Sequence, residues 1–419
     1  MAQDHRKAGK NLAARMKALD PATLAKRLLS KDIGDTQTVP NSARLDSESI
    51  SRRRNFFNAP DETWSQLDTY PAADTYSGNI ENFVGQVSLP VGLAGPLFVR
   101  GLHADNAYPI PLATTEAALV ASYNRGCQAL NDAGGARALL LSESVSRVPG
   151  FVFENAVEAG RFCLWINDQF DNLQAAAQAT SNFCRMNFMR LTVEGNHVYL
   201  HFDFTTGDAA GQNMVTIASE AACQWIAENS PVSILRWYVE ANLSGDKKAS
   251  MAAFLGVRGK KVTAEVTLPE ETIKLRLRTT PEAMRDYWRM SALGGVMSGT
   301  IGVQGHYANG LAALFIATGQ DAACVSEASV GVTRMEVQAE TGALYACVTL
   351  PNLILGTVGG GTSLPTQSAC LKLMGLDGPG KAHAFAEVVG AVCLAGELSI
   401  IAALAAGHFT RAHQKRARS

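Results

Sequence analysis

The chain has 419 residues, enough for two or three domains and a substantial core. Lysine and arginine total 37 against 38 aspartates and glutamates, so no global field favours nucleic acid or an anionic membrane surface. The 8 cysteines lie singly in apolar runs, with no CxxC pair and no Cys/His spacing suited to zinc; they read as small buried hydrophobes in a reducing compartment, and no metal is expected.

The first twenty residues lack the apolar core of a secretory signal, and helical patterning appears at 12–19 and 21–29. Asp20 is the expected N-cap of the second helix, with Pro21 at its first position. A linker at 31–47 leads to SESISRRRNFF, a basic helical piece that faces either solvent or an anionic ligand. From Glu81 the text changes to ENFVGQVSLPVGLAGPLFV, the mark of strands and tight turns. Thr114 or Thr115 is expected to cap a helix continuing from Glu116, whose carboxylate would suit the first turn by ordinary capping.

Residues 151–239 read as a unit. A strand at 151–153, helical patterning at 156–181, strands at 186–193 and 198–204, a helix after Gly207-Asp208 and a strand at 233–239 give the order βαββαβ of a split βαβ fold. The junction GDAAGQN (207–213) offers free backbone N–H groups at a helix start, a place for a phosphate, although many strand–helix turns contain Gly and Asp. No GxGxxG is present, so an ordinary Rossmann site is not indicated.

NLSGDKK (242–248) sets two lysines beside an aspartate. Adjacent ammoniums depress each other's pKa and a local carboxylate offsets this, so the cluster is either a proton donor to an oxyanion or a solvated loop. Residues 294–323 carry no charge until Asp321 and are expected to form one helix buried on all sides, a core pillar. Asp321 is then either a cap in solvent or a functional carboxylate. GTVGGGT (356–362) suits close backbone approach by a ligand. GLDGPGK (375–381) nearly matches a P-loop, but Ala382 replaces the magnesium-binding Ser or Thr and 370–374 reads as helix, which excludes an NTPase there. The most membrane-like stretch, 388–409, carries Glu397 at mid-span and reads as a buried helix, followed by His408, His413 and a basic tail.

In order and spacing, ENFVGQVSLPVGLAGPL, PLATTEAALVASYNRG, GDAAGQNM, GDKK, HYANGLAALFIATGQDAA, GTVGGGT and AGELSIIAALAAGH together resemble the 3-hydroxy-3-methylglutaryl-CoA (HMG-CoA) reductase family over about residues 50 to 415. The DKK loop is similar to the class I, NADPH-using form. The resemblance implies an α+β fold with a helical N-terminal domain (1–80), a large domain around a long central helix (81–148 and 251–419), an inserted ferredoxin-like cofactor domain (149–239) and a catalytic loop (240–250). It implies NADPH, with NADH open, a cytoplasmic homodimer or homotetramer with active sites shared between subunits, and no nucleic acid or membrane.

By the same resemblance Lys247 polarises the thioester carbonyl, Glu116 donates a proton to the reduced carbon's oxygen, Asp321 tunes both and His413 protonates the leaving thiolate. Cofactor positions are Asp208, Gly211, Asn213, Met214, Val358, Gly359, Gly360 and Ser181. Acyl-CoA positions are Arg147, Lys248, Asp246, Asn242, Ser122, Asn124, Arg125 and Asn309, with Glu81 also lining the site. Some positions depart from the pattern: Glu240 stands where a Ser meets the substrate carboxylate, a family lysine is missing near Arg289, Asn182 replaces an Arg near the cofactor phosphates, and Ala412 replaces the Ser before His413. The expected reaction is two-hydride reduction of HMG-CoA to mevalonate and CoA. The alternatives are a paralogue reducing another acyl thioester and a non-catalytic CoA-binding protein.

Overall fold

The computed structural model describes residues 20–29, 39–40, 47–57, 59–68, 87–256 and 258–407, together with residues 14 and 79. Glu81, His408, Ala412, His413, nearly all of the helix expected at 12–19 and most of the linker at 31–47 lie outside them. Three short helices come first: α1 (Pro21–Leu28), α2 (Ser47–Phe56) and α3 (Asp61–Asp68). Asp20 caps α1 by accepting from the Thr23 N–H at 3.0 Å, with Pro21 at the first helical position, as the sequence predicts.

Strands β1 (Val91–Gly101) and β2 (Asp105–Ala113) form an antiparallel hairpin. Helix α4 (Leu119–Asp132) follows, but it does not continue from Glu116. The Glu116 N–H is turned back onto the Thr114 hydroxyl at 3.0 Å and Ala118 adopts a left-handed conformation (φ 71°), so the carboxylate sits in a turn before the helix. The long strand β3 (Ala136–Arg147) runs parallel to β1 at its start and ends antiparallel to a strand of the unit that follows.

That unit contains β4 (Gly150–Val152), α5 (Ala156–Ile166), α6 (Phe170–Gln178), β5 (Arg185–Glu194), β6 (His197–Thr205), α7 (Gln212–Asn229) and β7 (Arg236–Tyr238). The helix expected over 156–181 is two helices joined by a tight turn at 167–169. The strands stand in the order β7-β4-β6-β5 with every neighbour antiparallel, and β3 joins this sheet to the rest through 145–147 against 202–204. Arg147 is therefore placed at the seam.

The second half of the chain supplies β8 (Gly259–Leu268), α8 (Pro281–Ser298), α9 (Tyr307–Thr318), the single turn α10 (Val325–Ala328), β9 (Val332–Val337), β10 (Leu344–Leu353), α11 (Pro365–Leu373) and α12 (Ala382–Ala405). The pillar expected at 294–323 is broken. Its first part is the exposed end of α8, which stops at left-handed Gly299; a loop then leads to α9, which stops at left-handed Gly319. The loop contains Gly302 (φ 90°), whose added Cβ would come within 2.2 Å of the Gly331 carbonyl, so only glycine fits there. Uniform apolarity cannot reveal such a break, because an uncharged run is compatible with helical and with non-helical backbone alike.

The buried pillar is α12, with 20 of its 24 residues buried. Its apolarity would let it span a membrane by length and composition, but 78% of the apolar window is buried within the protein. A Cβ on Gly126 would fall within 1.9 Å of the Ala395 carbonyl, so the packing of α4 on α12 depends on that glycine. Two carboxylates inside α12 are spent on backbone: Glu387 accepts from the N–H groups of Leu102, His103, Ala104 and Leu140, and Glu397 from those of Gly305 and His306 and from the Thr333 hydroxyl. The helix before GLDGPGK is α11, in agreement with the rejection of a P-loop.

Candidate functional site

Helix α9 runs to Gly319, and the chain turns through Gln320, whose side chain is locked to the backbone of Gly356 in both directions. Asp321 emerges beyond this turn. Its Oδ2 accepts from Lys247 Nζ at 2.8 Å and from Gln212 Nε2 at 3.1 Å, and its Oδ1 from the Ala323 N–H at 3.0 Å. Asp321 is thus a cap and the partner of an ammonium at once. Burial pushes its carboxyl up, but the Lys247 hydrogen bond, the Ala323 N–H, the Lys247 charge and the Gln212 amide outweigh this and hold it below its ordinary value. Lys247 is raised above its ordinary value, first by the hydrogen bond to Asp321, so the mutual depression expected of two adjacent lysines does not govern it.

Lys247 itself sits at φ 56°. Two contacts hold that unusual backbone: its N–H donates to Glu327 Oε1 at 3.2 Å, and its carbonyl accepts from the Ser326 hydroxyl at 2.6 Å. Glu327 is fully buried and paired with Arg258 Nη1 at 2.5 Å. Arg258, 2% exposed, also reaches Asp246 at 2.6 Å and the Gln212 carbonyl oxygen Oε1 at 3.0 Å. Asp246 in turn bonds Arg147 at 3.0 Å, and Arg147 reaches Glu240 at 3.2 Å, the Thr216 hydroxyl at 2.8 Å and the Gln212 carbonyl at 3.3 Å. A continuous buried charge network therefore carries the 242–248 loop. Sequence reasoning missed Arg258, Glu327 and Gln212. A charge at the head of an apolar strand reads as surface, and the one available signal was Glu327 standing inside the apolar run CVSEASV.

Among the substrate positions, Arg147 is buried and already shared by two carboxylates, Asp246 bridges two arginines, and Lys248 is exposed. Asn242 is exposed and left-handed (φ 67°), its N–H held by Glu240 at 2.6 Å. Arg289 is on the exposed face of α8. Ser122 and Arg125 on α4 bind Ser399 of α12, and Asn124 accepts from the Gly95 N–H at 3.0 Å. Glu116 lies elsewhere. Exposed, it receives the Asn309 amide at 2.9 and 3.2 Å, near the N-terminal end of α9.

The two glycine-rich segments expected to meet the cofactor lie together: Ala209 bridges Val358, the Thr357 N–H donates to the Asp208 carbonyl at 2.8 Å, and a Cβ on Gly356 would collide with residues 208–210. The Asp208 carboxylate accepts from the N–H groups of Gly380 and Ala382, binding this junction to the start of α12. Gly211 is left-handed and hands over to α7; Asn213 is exposed and Met214 half-buried. Gly359 and Gly360, both left-handed, have open space where a Cβ would stand, leaving their backbone accessible to a ligand. Ser181 follows α6, half-buried, beside exposed Asn182.

These features define a mixed α+β protein whose lysine–aspartate pair is held by buried arginines beside two packed glycine loops. The fold is similar to that of solved structures of 3-hydroxy-3-methylglutaryl-CoA reductase from Streptococcus pneumoniae; the class II enzyme bound to NADPH in open conformations matches with a TM-score of 0.71 at 18% identity, over 88% of this chain and 100% of that one. In sequence, the chain is 45% identical over 339 residues to the 3-hydroxy-3-methylglutaryl-coenzyme A reductase of Methanothermobacter thermautotrophicus, covering 80% of this chain and 84% of the relative. It is 39% identical over 405 residues to that of Haloferax volcanii, covering 94% and 98%. The sequence model of hydroxymethylglutaryl-coenzyme A reductase matches residues 49–418. The chain belongs to the hydroxymethylglutaryl-coenzyme A reductase family.

Proposed function

We propose that this protein reduces HMG-CoA to mevalonate and free CoA as a class I-like, NADPH-using enzyme, with residues 149–239 acting as an inserted ferredoxin-like cofactor domain. The observation that carries the reading is the 2.8 Å contact of Lys247 Nζ with Asp321, three residues beyond the end of α9 and joined through Gln212 to the glycine junction that begins α7. The open backbone at Gly359 and Gly360, packed against the 207–211 junction through Val358, fits a nucleotide. NADPH, when bound, would supply the hydrides.

A thioester taken to an alcohol passes through a hemithioacetal and an aldehyde, so negative charge develops on the carbonyl oxygen twice. Lys247, kept cationic by Asp321, would stabilise that oxygen on both occasions. Glu116, oriented by Asn309, would deliver the proton to the oxygen, and His413 would protonate the departing thiolate.

The two groups stand near opposite ends of α9. From Asn309 to Thr318 the axis rises about 14 Å, which sets the Glu116 and Lys247 contacts of one chain well apart along the helix. This supports a site shared by two copies, in a homodimer or homotetramer. So does the apolar stripe of Met290, Leu293, Val296 and Met297 exposed along α8. The basic test is Lys247→Ala: NADPH consumption with HMG-CoA should fall by about 10²–10³ or more while the thermal midpoint holds. Unchanged turnover would reject the assignment.

One observation favours a second reading. Arg147 already faces Asp246 and Glu240, so the acid end of the pocket is less positive than a dicarboxylate-derived substrate would call for. Turnover of another acyl-CoA, with none of HMG-CoA, would select a paralogous reductase.

A further inference from the structure

Gln212 is the first residue of α7, directly after left-handed Gly211 (φ 82°) at the proposed cofactor junction. Its side chain turns away from that junction into the charged centre. Nε2 donates to Asp321 Oδ2 at 3.1 Å, the oxygen that also takes Lys247 Nζ, and lies 3.1 Å from Cys324 Sγ. Oε1 accepts from Arg258 Nη2 at 3.0 Å, while the main-chain carbonyl accepts from Arg147 and from the Thr216 hydroxyl. One neutral amide thus touches the carboxylate of the Lys247 pair, a buried thiol and the arginine that holds the lysine loop.

We propose that Gln212 is a positioning residue for the reduction: it keeps Asp321 ionised, fixes which oxygen faces Lys247, and ties that register to the seating of the glycine junction and α7. The proposal rests on the reading of Lys247 and Asp321 as reacting groups. An amide is suited to the task because its N–H does not titrate, so it remains a donor at every pH at which the enzyme works. With Lys247 and Gln212 both on Oδ2, that oxygen is filled and its protonation must displace a donor, while the Ala323 N–H holds Oδ1. The charged and titratable groups around this carboxylate are Lys247 and Asp246 from the 242–248 loop, Arg258 at the head of β8, and Cys324 and Glu327 from the segment after Asp321.

The bland alternative is that Gln212 merely packs α7 against Arg258, in which case its loss would change stability and leave proton chemistry alone. Gln212→Leu preserves most of the volume and removes the donor. In the full-length protein, the acid limb of the kcat/KM profile for HMG-CoA and NADPH should move up by about one pH unit, since the carboxylate would then protonate more readily. Gln212→Glu, nearly isosteric, puts a second carboxylate against Oδ2, and the two would share a proton; the limb should move up further. Gln212→Glu also decides the matter if the leucine variant does not fold. An unmoved limb in the folded variants, including one accompanied by a lowered thermal midpoint, overturns the proposal. Lys247→Ala separates the two claims: if that variant is inactive while the Gln212 variants keep the native limb, the positioning role alone fails, whereas an active Lys247→Ala enzyme removes the reading beneath it.

Discussion

The two ends of α9 carry carboxylates in opposite conditions. Beyond the C-terminal end, Asp321 is met by an ammonium, an amide and a backbone N–H, and behind Lys247 stands the ladder of Glu327, Arg258, Asp246 and Arg147. Near the N-terminal end, Glu116 is exposed and is oriented by the amide of Asn309. A fully partnered carboxylate holds a charge in place, while an exposed one can gain or lose a proton once a substrate or a second subunit covers it. Under the proposed function, this difference would give electrostatic preorganisation to one end and proton delivery to the other.

The sharpest way to break this comparison is to separate the ends genetically. If a site takes its lysine from one copy and its glutamate from another, Glu116→Gln and Lys247→Ala are each inactive alone. When the two are co-expressed, every mixed pair then regains one intact site and loses the other, and a random mixture of dimers should recover about one quarter of native activity by symmetry. If each site were built within one chain, mixing inactive variants would restore nothing.

The next effect is on the ladder itself. Arg258→Met leaves the fully buried Glu327 without its cation and frees Asp246 on one side, so unfolding free energy should drop by about 3–5 kcal/mol in denaturant titration. Turnover should fall with it, because the Lys247 backbone at φ 56° is held through Glu327. Restoring stability with Glu327→Gln alongside Arg258→Met, without restoring turnover, would separate the positioning of Lys247 from the stability of the core.

How legible these features were depended on the distance over which each is decided. The cap of α1 at Asp20 and the alternation that makes β5 and β6 are local, and the sequence reveals them. The close approach of the glycine segments 207–211 and 356–362 was not visible in either segment; only the family resemblance, which gives both to the cofactor, linked them. The break at Gly299–His306 was missed because apolar text is silent about whether its backbone is helical, and the true pillar, α12, was read as a secondary one. The Arg258 ladder was invisible for another reason: its members lie at 147, 240, 246, 258 and 327, and apart from Glu327 in its apolar run no neighbour in sequence marks any of them as buried or joined to the others. Burial turns such charges into a network, and burial is a property of the assembled fold.

The smallest expected effect concerns acid stability, and it tests whether the Lys247 end acts through charge or through packing. Burial pushes the Asp321 carboxyl up, yet its donors hold it below the ordinary 3.8, while Lys247 stands above its ordinary 10.5. A carboxyl depressed in the folded state contributes stability that is fully present above its unfolded value and is lost as pH falls through the lowered one. The lysine's share has the opposite limit, being lost as pH rises through its raised value. Both side chains keep more than a third of their surface in solvent, 42% for Lys247 and 35% for Asp321, so screening limits the pair to less than about 1 kcal/mol. Lys247→Met should therefore cost little at neutral pH, and its deficit relative to the native protein should shrink in added salt and close as the solution is acidified through and below the ordinary carboxylate range. A deficit of several kcal/mol that ignores pH and salt would mean that the lysine stem packs the loop, and the contrast between the two ends of α9 would then be one of shape instead of charge.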